Sequence, residues 1–130
     1  MKIAIVGAQE DKWNTDQKSR VKAMLLNLLT RNDTLVSGQS PKGGIDIWAE
    51  EAADATRAKK LIFKPNFHRW EPDGYKDRNI RIAQECDIMY VFSPEQDEWN
   101  GGKWTGKYAE ELGKKVIYID IKEVVKNGRC

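Results

Sequence analysis

The feature that most constrains this chain is an alternation of two apolar patterns. Residues 2–8 (Lys-Ile-Ala-Ile-Val-Gly-Ala) and 88–92 (Ile-Met-Tyr-Val-Phe) are unbroken apolar runs. A strand that is apolar on both of its faces suits the middle of a parallel sheet covered on both sides. Between such runs the apolar spacing changes to three and four. Val21, Met24, Leu25, Leu28 and Leu29 fall on one helical stripe, as do Ile45, Trp48, Ala49, Ala52 and Ala53.

Read in order, the chain gives five strands at 2–8, 34–36, 60–65, 87–93 and 115–121. Pro65 ends the third because it cannot donate to a ladder. Four helices lie between them. The first is capped by Asn14 or Thr15 and stops near Asn32, and the second starts at the pair Gly43-Gly44. The third carries Tyr75, Asn79, Ile82, Ala83 and Cys86 on one stripe; the short fourth, with Trp104, Thr105, Tyr108, Ala109 and Leu112, is terminated by Gly113. The polar tail from Lys122 is expected to fray or form a single turn. Strands alternating with helices mean an α/β fold: one doubly wound parallel sheet with helices on both faces. The 130 residues make a single domain, 1–130. Right-handed crossovers leave two strand orders open, 3-2-1-4-5 and 2-1-3-4-5.

Lys and Arg number 22 against 20 Asp and Glu, a formal charge of +2. That balance gives no electrostatic case for DNA, RNA or an anionic membrane. No apolar run has the length of a membrane span, and Met1 leads directly into a strand, so a cytoplasmic protein is expected. Cys86, Cys130 and the single His68 show neither metal-ligand spacing nor a disulfide framework, so no metal and no cofactor are expected.

In either strand order, ligands bind outside the carboxyl ends of the strands. The loops there are Gly7-Ala8-Gln9, 37–46, 64–77 and 93–105, which hold most of the glycines and the unexplained polar and aromatic residues. Among them Ser37-Gly-Gln-Ser-Pro-Lys-Gly-Gly-Ile-Asp46 joins a strand to a helix start. Small residues let a ligand approach such a loop, and the helix N-terminus behind it favours an anion. Lys42 can add a charge to a bound phosphate or simply stay solvated. Asp46 lies in the first helical turn, where a carboxylate complements the dipole whatever its function; close to a phosphate it is repulsive, so ribose hydroxyls or the loop's own amides suit it better. Asn79 is the polar member of an apolar stripe and needs a partner in loop backbone or ligand. Arg78 beside it either reaches an anion over the sheet or is an exposed helix charge. Of five tryptophans, Trp13, Trp70, Trp99 and Trp104 fall in loops or at helix starts, where they either close off a small core, stack on a base or anchor a subunit contact.

Several catalytic templates fail. Gly101-Gly-Lys-Trp-Thr-Gly-Lys107 fits Gly-x-x-x-x-Gly-Lys, but Tyr108 stands where Ser or Thr would bind Mg²⁺, and the segment follows the fourth strand. It is a second glycine turn feeding a helix. The first loop lacks Gly-x-Gly-x-x-Gly, and the second strand ends in Ser-Gly rather than an acidic residue, which argues against a nicotinamide dehydrogenase. No elbow serine accompanies His68.

Val36-Ser-Gly-x-Ser-Pro-Lys-Gly-Gly-Ile-Asp-x-Trp-Ala-Glu50, Tyr75-x-x-Arg-Asn-x-x-Ile-Ala83, Cys86-Asp-Ile88 and Gly102-x-x-Thr105 together resemble the SLOG superfamily of Rossmann-like domains, and in particular its small YspA-like members. That superfamily includes the DNA-processing protein A domain, the Lonely-guy phosphoribohydrolases and molybdenum-cofactor carrier proteins. The resemblance runs over nearly the whole chain. It implies the order 3-2-1-4-5 and a pocket for a nucleotide or nucleotide-derived phosphorylated ligand, in a sensing or carrier role, and a homodimer. It points to Gly7, Ser37, Gly38, Gly43, Gly44, Asp46, Arg78, Asn79, Gly101, Gly102 and Thr105 as ligand-binding residues, and Ala8, Lys42 and Ser93 of the same carboxyl-end loops complete the candidate set. The alternative it implies is an N-glycosidase acting on a nucleoside 5′-monophosphate, with Arg78, Asp46 and Glu50 as candidates for catalysis; a DNA-associated protein is a weaker one. Where the phosphoribohydrolases carry a glutamate after the second glycine turn, this chain has Lys107 and Tyr108.

Overall fold

The computed structural model describes residues 1–40 and 42–122. Its order is β1 (Lys2–Gly7), α1 (Thr15–Leu26), β2 (Thr34–Ser37), α2 (Ile45–Thr56), β3 (Lys59–Ile62), α3 (Tyr75–Glu85), β4 (Ile88–Pro94), α4 (Gly101–Glu111) and β5 (Lys115–Ile121), with a 3₁₀ turn at Glu10–Lys12. The five strands form one sheet, all parallel, in the order β3-β2-β1-β4-β5. This is the doubly wound architecture expected, and of the two orders it is 3-2-1-4-5.

Alternation along the central strand builds two cores. Ile3 and Ile5 point to the layer holding Val21, Leu25, Ile45, Trp48 and Ala49, whereas Ala4 and Val6 point to the one holding Ile82, Ala83, Cys86 and Ala109. α1 and α2 therefore cover one face, α3 and α4 the other. Gly106 lets α4 approach the sheet: a β-carbon there would lie 2.8 Å from Tyr118 Oη and 2.9 Å from Val91 Cγ2.

The ends of α1 and β3 and the start of α4 differ from the sequence reading. α1 ends at Leu26, so Leu28 and Leu29 belong to the following turn and Met24 is exposed. Only Val21 and Leu25 of that stripe are buried within the helix, because the chain must turn early to enter β2. β3 stops at Ile62 and not at Pro65, since β2 offers only Ser37 O for one further bond, to Phe63 N–H. α4 begins at Gly101 rather than Trp104, because Asn100 caps it by accepting from Lys103 N–H. The cap of α1 is Asn14, not Thr15: its side chain accepts from Gln17 N–H while the Gln17 side chain accepts from Asn14 N–H. Gly113, at φ +81°, follows the end of α4 as expected. The tail beyond Lys122 lies outside the described residues. Among the described residues no helix is long and apolar enough to cross a membrane.

Candidate functional site

A cleft of about 400 Å³ opens at the carboxyl end of the sheet, where β1 and β4 part and the chain leaves them in opposite directions. Its floor is the end of β1. Gly7 is needed there because a β-carbon would lie 2.1 Å from Phe92 O. Gly102 is needed opposite, since its β-carbon would lie 2.7 Å from both Gly7 Cα and Gly7 N. The two glycines bring the first turn of α4 directly over β1.

Of the residues expected at a ligand, Gly7, Ala8, Lys42, Gly43, Asp46, Arg78, Asn79, Gly101, Gly102 and Thr105 line this cleft. Ser37, Gly38, Gly44, Ser93 and Glu50 do not. Ser93 is buried behind it, where its Oγ accepts from Asn100 Nδ2 at 3.0 Å and helps to seat the cap of α4. Gly44 is the N-cap of α2 at φ +82°, packed so closely that a β-carbon would lie 2.5 Å from Ala8 O. Glu50 is buried one turn further along α2; its Oε1 accepts from Gln39 Nε2 at 3.1 Å, and its Oε2 has no partner among the described residues. Ser37 Oγ is likewise buried and unpartnered.

The 37–46 loop has four of its backbone donors bonded, while the amides of Gly38, Gln39, Gly44 and Asp46 have no partner among the described residues. Ser40 N–H donates to Asp46 Oδ2 at 2.9 Å, Lys42 N–H to Ser40 Oγ, Gly43 N–H to Ser40 O and Ile45 N–H to Ala8 O. Asp46 thus satisfies the loop's own amide. Burial pushes its carboxyl above the ordinary carboxylate range; the Arg78 charge and the Ser40 amide act in the opposite sense, and Glu50 adds to the rise.

Further unused donors lie across the cleft. In α4, bonding to the cap begins with Lys103 and Trp104, which leaves the amides of Gly101 and Gly102 without partners among the described residues. The N-terminus of α3 is closed instead, by Tyr75 N–H to Arg69 O and Lys76 N–H to Trp70 O. Arg78 is 7% exposed. It donates from Nε to Asn79 Oδ1 and from Nη1 to Gly38 O, both at 2.7 Å. Nη2 has no partner among the described residues. Burial lowers the Arg78 pKa, and the Asp46 carboxylate opposes that; a guanidinium remains charged at neutral pH. The Asn79 amide nitrogen is also unpartnered among the described residues, and it lies 3.7 Å from where a β-carbon on Gly101 would sit.

Sequence reasoning assigned no role to Gln9, Lys12, Ser40, Tyr75, Ile82 or Asn100 of the lining, and left Trp70 and Trp99 open. Most of them fall in the carboxyl-end loops, so position along the chain was the signal available. Asn100 carried a second, as a capping residue before a helix. Among the described residues no cluster of His, Cys, Asp or Glu could hold a metal ion. Comparison with models of known families, with curated proteins and with solved structures found no match for this chain.

Proposed function

We propose that the cleft binds a nucleotide or nucleotide-derived phosphorylated ligand, in a sensing or carrier role. The observation that carries this reading is the convergence of unused donors: Arg78 Nη2, the amides of Gly101 and Gly102, and Asn79 Nδ2. A buried guanidinium and a helix N-terminus directed at one space are complementary to a phosphoryl group. The ligand's phosphate then sits at the α4 turn, with Arg78 and the N-terminus of α4 to hold it, rather than beside the carboxyl of Asp46 in the 37–46 loop. Asp46, an acceptor on the opposite wall, suits the hydroxyls of a ribose. The likeness to the SLOG superfamily in the residues around Gly38, Asp46 and Arg78 supports the same reading.

Thermal unfolding with a panel of nucleoside mono-, di- and cyclic phosphates tests it. A binder at a hundred times its Kd adds about 2.7 kcal/mol of stability. The expected result is a rise in Tm with at least one member, abolished in Arg78→Ala. No rise with any of them would count decisively against the reading.

A second reading is favoured by one observation, the carboxyl of Asp46 in the cleft, whose pKa burial raises above the ordinary carboxylate value. Such a group could assist cleavage of an N-glycosidic bond. Glu50, which does not line the cleft, has no part in it. Chromatography of nucleoside monophosphates incubated with the protein checks this: release of free base supports it, and intact nucleotide throughout rejects it.

A further inference from the structure

After Met1, Trp99 is the most exposed large apolar side chain among the described residues, at 62%. Its placement is nevertheless built. Lys103 Nζ donates to Asp97 O at 2.6 Å and to Glu98 O at 3.2 Å, and Asn100 Nδ2 donates to Asp97 Oδ2 at 3.0 Å. These bonds pin the turn immediately before the ring, so its exposure is not that of a slack loop. Trp99 lies 6.2 Å from Trp70 at an interplanar angle of 72°, and Trp70 in turn meets Trp104 at 5.2 Å and 88°. Trp104 stacks on Tyr108 at 12°. The row is anchored in α4 and ends in an open corner of two rings, both of which line the cleft.

Leaving a tryptophan face in water forfeits the burial that such a side chain normally supplies. The corner is also next to the anion-binding donors: a β-carbon on Gly101 would touch Trp70 Cζ3 at 3.7 Å. We propose that Trp99, with Trp70 behind it, is the platform on which the aromatic base of the ligand stacks. This inference rests on the reading of the cleft as a phosphate-binding site. A flat ring laid on one of the two faces presents its edge to the other, and a phosphate attached through a sugar can reach the Gly101 and Gly102 amides. Stacking recognises a π-face rather than a hydrogen-bond pattern, so it separates ligands with a base from those without one and discriminates only weakly among bases, purines being held best.

Calorimetric titration of the full chain tests the inference, with AMP, GMP, CMP, UMP and ribose 5-phosphate as probes. The wild-type protein is expected to bind the purine monophosphates at least about tenfold more tightly than ribose 5-phosphate. Trp99→Ala is expected to remove that advantage while leaving ribose 5-phosphate binding unchanged, and Trp99→Phe to keep most of it. The residue is exposed, so its replacement should leave the fold intact, which the melting curve of each variant reports. Equal affinity for AMP and ribose 5-phosphate, or a Trp99→Ala protein that binds both as wild type does, overturns the platform and leaves the phosphate site standing. Absence of binding for all five probes overturns both readings.

Discussion

The guanidinium of Arg78 occupies the space that a β-carbon on Gly38 would fill: such a carbon would lie 2.2 Å from Nη1 and 2.5 Å from Cζ. The two residues are 40 apart in sequence and joined by the bond from Nη1 to Gly38 O. Gly38 thus acts on the cleft without lining it. By lacking a side chain, it allows an arginine to lie flat on the loop backbone and hold its remaining nitrogen in place.

Gly38→Ala should therefore separate binding from folding. Arg78 is flexible and can swing away, so stability should fall by only about 1–3 kcal/mol, the cost of a broken bond to a buried charged group. Phosphate-bearing ligands should lose affinity nearly as much as they do in Arg78→Ala. Titration of both variants, with urea unfolding alongside, checks this. An alanine variant that binds normally would mean Arg78 is not held by this contact.

Gly102 and Gly113 should respond to the same change to very different degrees. An alanine at 102 runs into the Gly7 backbone, which cannot rotate aside, and should cost about 3 kcal/mol or more. Among the described residues position 113 has nothing within 4 Å and carries only the strain of φ +81°, so alanine there should cost about 1 kcal/mol. Midpoints of chemical unfolding for the two variants measure the difference.

Asp46 gives a pH dependence whose sign follows from burial. Its folded pKa lies above the ordinary 3.8, so protonation favours the folded state. That contribution is complete below 3.8 and is lost as pH rises through the folded value. Asp46→Asn retains an acceptor for Ser40 N–H and does not titrate. Its stability relative to wild type should accordingly increase between about pH 3 and about pH 7. A relative stability that falls over this range would show that the Arg78 charge outweighs burial.

Gln17 offers a test away from the cleft. It is fully buried, accepts from Asn14 N–H at 3.1 Å, and donates from Nε2 to Ile121 O at 2.8 Å and to Gln96 Oε1 at 3.1 Å. Gln17→Ala strands these groups and should cost about 2–3 kcal/mol. Gln17→Glu keeps the cap acceptor but sets a carboxylate against two oxygens, so it should be less stable at neutral than at acid pH. Urea unfolding at two pH values distinguishes the variants.

Much of the fold was legible because its signals are local. The unbroken runs of β1 and β4 and the three-four spacing of α2 and α3 each report the burial of one element, and parallel pairing follows from their alternation. The early end of α1 and the early start of α4 were not legible from periodicity. Leu28 and Leu29 continue the α1 stripe past a turn that the approach to β2 imposes, while Asn100 supplies a cap just where the glycines suggested a loop. The site divides in the same way. Glycine-rich connections at the carboxyl ends marked where a ligand would sit, and they included most of the residues that line the cleft.

What the sequence by itself determined was the class of fold and the end of the sheet at which the cleft opens, since both depend on spacing within single elements. The tertiary structure decided the strand order, the burial of Arg78 and which amides of the 37–46 loop are bonded. The composition of the 37–46 loop suits an anion cradle, yet four of its amides are taken up by Asp46, Ser40 and Ala8. The Gly101 and Gly102 amides are first-turn donors of α4, and the contact of Gly102 with the Gly7 backbone, nearly a hundred residues away in sequence, sets that turn over the cleft. No local pattern encodes that placement, because it depends on a contact between residues distant in sequence.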